Sequence, residues 1–84
     1  MDVPYCENRG NSLSVIVDIP YAADVFLVDQ LNFQNYQQGL DFKYYGGHYS
    51  QSPVKITVTN PGTYYLIVND GGSGAQYHYR WQQN

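Results

Sequence analysis

The side chains that could move a proton or hold a metal are few: His48 and His78, with the carboxylates Asp24, Asp29, Asp41 and Asp70. Histidine is the residue type whose ordinary titration falls near neutrality, so these two are the natural acid–base candidates. Their surroundings argue for structural work instead. His48 follows Gly46-Gly47, where its ring is expected to anchor a loop by bonding backbone or a tyrosine hydroxyl, because a buried polar group needs a partner. His78 reads as an exposed strand residue. No His-x-His or His-x-x-x-His spacing occurs, so no metal and no cofactor is expected. A glycosidase places two carboxyl groups about 5–9.5 Å apart across a cleft, whereas Asp24 and Asp29 stand at opposite ends of one expected strand and Asp41 and Asp70 are far apart in sequence. There is no Gly-x-Ser-x-Gly elbow, and Gly72-Ser73-Gly74 reads as a loop tripeptide. Cys6, in the N-terminal stretch expected to be loose, reads as a residue that packs or sits idle rather than as a reactive thiolate. The glycines at 71, 72 and 74 are followed by no helix, and Asp70 would repel a phosphate there. No catalytic residue is therefore assigned, and the chain reads as a binding domain, not an enzyme.

The remaining chemistry belongs to the aromatic rings. Ten tyrosines, three phenylalanines and one tryptophan occur in 84 residues. A tyrosine ring joins a flat apolar body to a hydroxyl, which suits sugars, bases and protein surfaces alike, and it also suits strands. Tyr64, Tyr77 and Tyr79 alternate on expected strands and read as core. Tyr36, Tyr44, Tyr45 and Tyr49 sit beside expected turns, where they could line a groove.

The elements that position these rings follow from period. Leu13, Val15, Val17 and Ile19 alternate with Ser12, Ser14, Ile16 and Asp18, the pattern of a half-buried strand, closed by Pro20. Residues 24–29 form a second strand that is apolar on both faces, with Val25 and Leu27 on one and Phe26 and Val28 on the other. That predicts a central strand or one with a covered outer face. Over residues 31–38 the β pattern breaks, Phe33 and Tyr36 stand three apart, and Gly39 occupies a helix C-cap position, so a short helical turn is expected. Gly46-Gly47, between residues 42–45 and 48–49, predicts a tight hairpin. Pro53 opens a strand of Val54, Ile56 and Val58, and Asn60-Pro61-Gly62 predicts a type II turn into a strand over 63–69. If residues 71–74 close a hairpin, Val68 faces Tyr77, Leu66 faces Tyr79 and Tyr64 faces Trp81 as core pairs, while Ile67 faces His78 and Tyr65 faces Arg80 on the opposite side. The expectation is one all-β domain over 1–84, a β-sandwich or jelly-roll-like barrel of about six to eight short strands, with residues 1–11 loosely ordered.

Composition bounds the partners. The net charge is −3, and Arg9, Lys43, Lys55 and Arg80 are scattered, so neither nucleic acid nor an anionic membrane is expected. A single cysteine excludes an internal disulfide framework and fits a reducing compartment. With no apolar leader at the start, the expected location is cytoplasmic.

One resemblance emerges from these segments taken in order: Ala23-Asp24-Val25-Phe26-Leu27-Val28-Asp29, Asn32-Phe33-Gln34-Asn35-Tyr36 with Gly39, Tyr44-Tyr45-Gly46-Gly47-His48, Ser52-Pro53-Val54, Gly62, Tyr64-Tyr65 and Asp70-Gly71-Gly72. Together they resemble a bacterial family known as domain of unknown function number eighteen-eighty-three. The resemblance implies a small β-sandwich-like domain without assigned activity, found alone or joined to Toll/interleukin-receptor domains of bacterial defence proteins. The residues shared with it supply the candidate surface: Asn32, Tyr36, Tyr44, Tyr45, Gly46, Gly47, His48, Ser52, Asp70, Gly71 and Gly72. Three expectations follow for that surface. It serves an interaction or sensing module with a protein partner, or it stacks a small molecule or glycan on tyrosine rings, or the chain self-associates as a structural homo-oligomer through an edge strand or tyrosine patch.

Overall fold

A computed structural model describes residues 3–69 and 77–83. The described chain forms seven strands and one helix: β1 (Tyr5–Asn8), β2 (Leu13–Asp18), β3 (Ala23–Asp29), α1 (Gln30–Gln37), β4 (Tyr45–Tyr49), β5 (Val54–Val58), β6 (Gly62–Asn69) and β7 (His78–Gln83). They make two antiparallel sheets, one ordered β1-β6-β3-β4 and the other β5-β2-β7. The all-β expectation is met, and the two layers pack as a sandwich.

Alternation builds the core. Leu13, Val15 and Val17 of β2 and Val25 and Leu27 of β3 are fully buried, joined by Val54, Ile56 and Val58 of β5 and by Tyr64 and Leu66 of β6. Each sheet contributes every second side chain to this layer, as a packed pair of sheets requires. The Tyr64 hydroxyl donates to the Asn60 carbonyl oxygen at 2.9 Å. Burial, with the nearby Tyr45 and Asp29 as secondary causes, raises its pKa above the ordinary tyrosine value. Burial and then Tyr79 act on Tyr77 in the same direction. A raised folded-state pKa means the folded chain holds these protons longer than the unfolded chain. The stability involved is complete below about pH 10 and is lost as pH climbs through the raised values. Tyr64→Phe is expected to cost about 1 kcal/mol at neutral pH through the lost hydrogen bond. The variant should also lose stability less steeply than the parent above about pH 10. Urea denaturation across pH checks both.

The structure departs from the sequence reading at four places. First, residues 1–11 include β1, which pairs along Gly62–Tyr65 of β6. Asn8 at its end is buried, donating to the Asn60 carbonyl oxygen at 3.0 Å and accepting from Gln83 Nε2 at 2.9 Å. Four residues with one small buried amide give too short a pattern for periodicity to register.

Second, Gly46-Gly47 is no hairpin turn: it lies inside the single strand β4, with Gly46 opposite Phe26 and Gly47 opposite Val25. Third, β6 and β7 do not pair with each other. β6 is taken by β1 along its first half and by β3 along Tyr64–Asn69, so the last strand joins the open flank of β2 in the other sheet, with Trp81 opposite Val15 and Tyr79 opposite Val17. Residues 70–76 lie outside the described residues. Tyr77 and Trp81 still pack against the core, but Tyr79, expected inside, is 44% exposed at this edge, and Ile67, expected outside, is buried. Fourth, the strand read through Ile19 ends at Asp18, where Ser52 Oγ accepts from the Ile19 N–H at 2.8 Å and donates to its carbonyl oxygen at 2.9 Å.

The helix appears where the β pattern breaks. Asp29 is its N-cap, its Oδ1 accepting from the Asn32 N–H at 2.8 Å, and Gly39 follows the C-cap with φ +73°. That left-handed geometry suits glycine. The helix buries none of its own residues and is held by its rings: Phe33 stacks on Tyr65 at 4.2 Å and 8°, and Tyr36 meets Phe26 edge-on at 6.0 Å. Beneath, Val28 and Ile67 are buried, so the outer face of β3 is covered, as its two apolar faces require. Asp29→Ala should cost about 1 kcal/mol, the usual loss for an N-cap, and should speed hydrogen exchange at the Asn32 amide, read by NMR. Among the described residues no helix is long and apolar enough to cross a membrane.

Candidate functional site

Alternation along β3 sends Asp24 and Phe26 to the outer face of the larger sheet. The β3–β4 register sets His48 beside Asp24 and Gly46 beside Phe26. The carboxylate and imidazole meet directly: His48 Nδ1 and Asp24 Oδ1 are 2.9 Å apart. A carboxylate can only accept, so Nδ1 donates and the neutral ring is left with an acceptor at Nε2. The two side chains are 67% and 53% exposed, so the hydrogen bond competes with water and contributes little to stability.

Beside this pair lies an aromatic floor. Phe26 sits 5.8 Å from Phe42 and 5.4 Å from Tyr44, and Phe42 is 5.8 Å from Tyr44. Tyr36 of the helix closes one side, edge-on to Phe42 at 5.2 Å. The connection between α1 and β4 carries Phe42 and Tyr44 over the sheet, and it is pinned where the Lys43 N–H donates to Asn32 Oδ1 at 2.8 Å. The result is a depression of about 350 Å³ lined by Asp24, Phe26, Phe42, Tyr44, Gly47 and His48. Tyr44 stands 54% exposed at its rim.

The close approach of β4 to β3 depends on Gly46. Its φ is +142°, and a Cβ there would collide with the Val25 carbonyl oxygen and lie 2.8 and 2.9 Å from Phe26 Cα and Cβ. A Cβ on Gly47 would meet nothing within 4 Å. A second, shallower depression runs along Asp29, Leu31, Asn32, Asn35, Asp41, Phe42 and Lys43. Its Asp29 is committed to capping the helix. Among the described residues no three His, Cys, Asp or Glu side chains converge as a metal site would need.

The sequence candidates divide accordingly. Tyr44, Gly47 and His48 line the depression, Tyr36 buttresses it and Asn32 holds its wall. Gly46 serves by letting β4 approach. Tyr45 faces the other way, opposite Leu27 and edge-on to Tyr64 at 6.1 Å. Ser52 is occupied with Ile19. Asp70, Gly71 and Gly72 lie outside the described residues. His48 bonds the Asp24 carboxylate, not the backbone or tyrosine hydroxyl expected for it. Sequence reasoning missed Asp24, Phe26 and Phe42. Phe26 was visible as the outward apolar residue of a strand with two apolar faces, but nothing local ties Asp24 to His48.

These features define a small two-sheet β domain with one helix laid over the outer face of its larger sheet and an aromatic depression at that helix's end. The chain belongs to the family described as a domain of unknown function (DUF1883), whose model matches residues 7–79. No curated protein and no solved structure matches it significantly.

Proposed function

We propose that the chain is a non-catalytic interaction module whose working surface is the depression between β3, β4 and the α1–β4 connection, and that its partner is a protein. One observation carries the reading: Tyr44, 54% exposed, stands at the rim of a depression whose wall carries an exposed, hydrogen-bonded Asp24–His48 pair. Exposed aromatic rings are what protein contact surfaces enrich. The depression is open and shallow, with Tyr44 54% exposed at its rim, which suits a side chain presented by a partner surface better than an enclosed small molecule. A bacterial defence setting, which rests on the family resemblance, and a cytoplasmic location, which rests on the single cysteine and the absence of an apolar run at the start of the sequence, are part of this proposal.

A photo-crosslinking amino acid in place of Tyr44 tests it, with the same group in place of Lys55 on the outer face of the smaller sheet as control. In cells of the source organism, a discrete adduct from position 44 and none from position 55 is expected. Equal labelling from both positions, or none from position 44, would overturn the reading.

A further inference from the structure

Resting on that reading, we propose that the depression takes an arginine side chain presented by the partner, its guanidinium plane lying on the Phe42 and Tyr44 rings and its N–H groups donating to Asp24. The hydrogen-bonding groups of the wall select for a donor. Asp24 Oδ1 is engaged by His48 Nδ1, while Asp24 Oδ2 has no hydrogen-bond partner among the described residues, and His48 keeps an acceptor at Nε2. With the ring neutral, Asp24 and His48 present acceptors, and the Tyr44 hydroxyl can turn to accept as well. A ligand rich in N–H groups satisfies these groups, and a phosphate or carboxylate does not.

Charge points the same way. The lining holds one carboxylate and no lysine or arginine, and the chain carries a net charge of −3. A cation is attracted and an anion repelled. The floor then chooses among cations. Three rings within 5.4 to 5.8 Å of one another offer apolar, electron-rich faces. A guanidinium is planar, is weakly hydrated, stacks on such faces and forks onto a carboxylate, whereas an ammonium is compact and strongly hydrated. The volume, about 350 Å³, is near the lower limit of ligand pockets. One side chain fits it better than an extended cofactor.

The test uses three blocked tripeptides, Gly-Arg-Gly, Gly-Lys-Gly and Gly-citrulline-Gly, and methyl glucoside, each titrated into the ¹⁵N-labelled chain and followed by NMR. Citrulline keeps the shape of arginine and loses its charge. Expected are amide shifts at Tyr44, Gly47 and His48 with the arginine peptide, weakening as salt rises. Binding of the citrulline peptide should be about tenfold weaker, the scale of one charge-assisted hydrogen bond. Asp24→Asn, an exposed change whose fold the same spectra check, should give a similar loss, and Tyr44→Ala should weaken binding as well. Equal binding of arginine and citrulline peptides, unchanged binding by Asp24→Asn, preference for lysine or for the glucoside, or no shifts at millimolar peptide would each overturn the proposal. An adduct from position 44 combined with any of these results would leave the interaction module standing and remove arginine as its ligand.

Discussion

Replacing Gly46 with alanine is expected to destabilise the domain by about 3 kcal/mol, from a backbone held at positive φ together with a methyl group forced onto its neighbour strand. The atoms in the way are the Val25 carbonyl oxygen and Phe26 Cα and Cβ. All three are backbone or attached rigidly to it, so no side-chain rotation relieves the overlap, and β4 must move away from β3. A domain of this size shifts its melting temperature by about 4–8 °C per kcal/mol, so the loss should be plain in a thermal melt. Gly47→Ala supplies the control. Its added Cβ meets nothing within 4 Å and its φ is not positive, so the change should stay within about 0.5 kcal/mol. Comparable melts for the two variants would contradict a close approach of β4 to β3 at Gly46.

Phe26→Ala is expected to cost about 2–3 kcal/mol, below the full range for a buried phenylalanine because the ring is only partly covered. This ring touches Tyr36 of the helix and both Phe42 and Tyr44 of the connection. Its removal takes away the common support of three other rings. The Tyr44 and Lys43 amides should consequently exchange faster with solvent, while amides in β2 and β5 should change only with global stability. Tyr44→Ala, at the exposed rim, should lower stability by less than about 1 kcal/mol. Urea denaturation and hydrogen exchange on the three proteins separate support from rim.

Much of this architecture is legible in the sequence. Leu13, Val15 and Val17 announced β2 by strict alternation, and the two apolar faces of residues 24–29 announced a strand with a covered back. The loss of period after Asp29, ending at Gly39, announced the helix. These are local signals, written within a few residues of where they act. What was not legible depends on which strands become neighbours. Gly46-Gly47 has the backbone freedom a hairpin would use, but the same freedom lets one strand press against another, and only the partner decides between them. The glycine-rich sequence of residues 71–74 suggests a hairpin, yet both flanks of β6 are occupied by β1 and β3.

The site divides along the same line. Tyr44, Gly47 and His48 stood out by type and by their nearness to glycine. Asp24 did not, because a carboxylate at a strand end has many readings until the register sets it beside an imidazole 24 positions later.

The pairing order also governs how the chain comes to be folded during synthesis. The first strand waits for the sixth, and the second, at the centre of its sheet, waits for the seventh. Partners so distant along the chain must close long loops before any contact rewards them, which places folding in the slow, millisecond-to-second regime typical of β-sandwiches. On the ribosome, β2 would present Leu13, Val15 and Val17 with one flank open until residues 78–83 had emerged. Emergence of residues 78–83 is thus the event that completes the smaller sheet, and a nascent chain stalled before them would display an unpaired apolar edge.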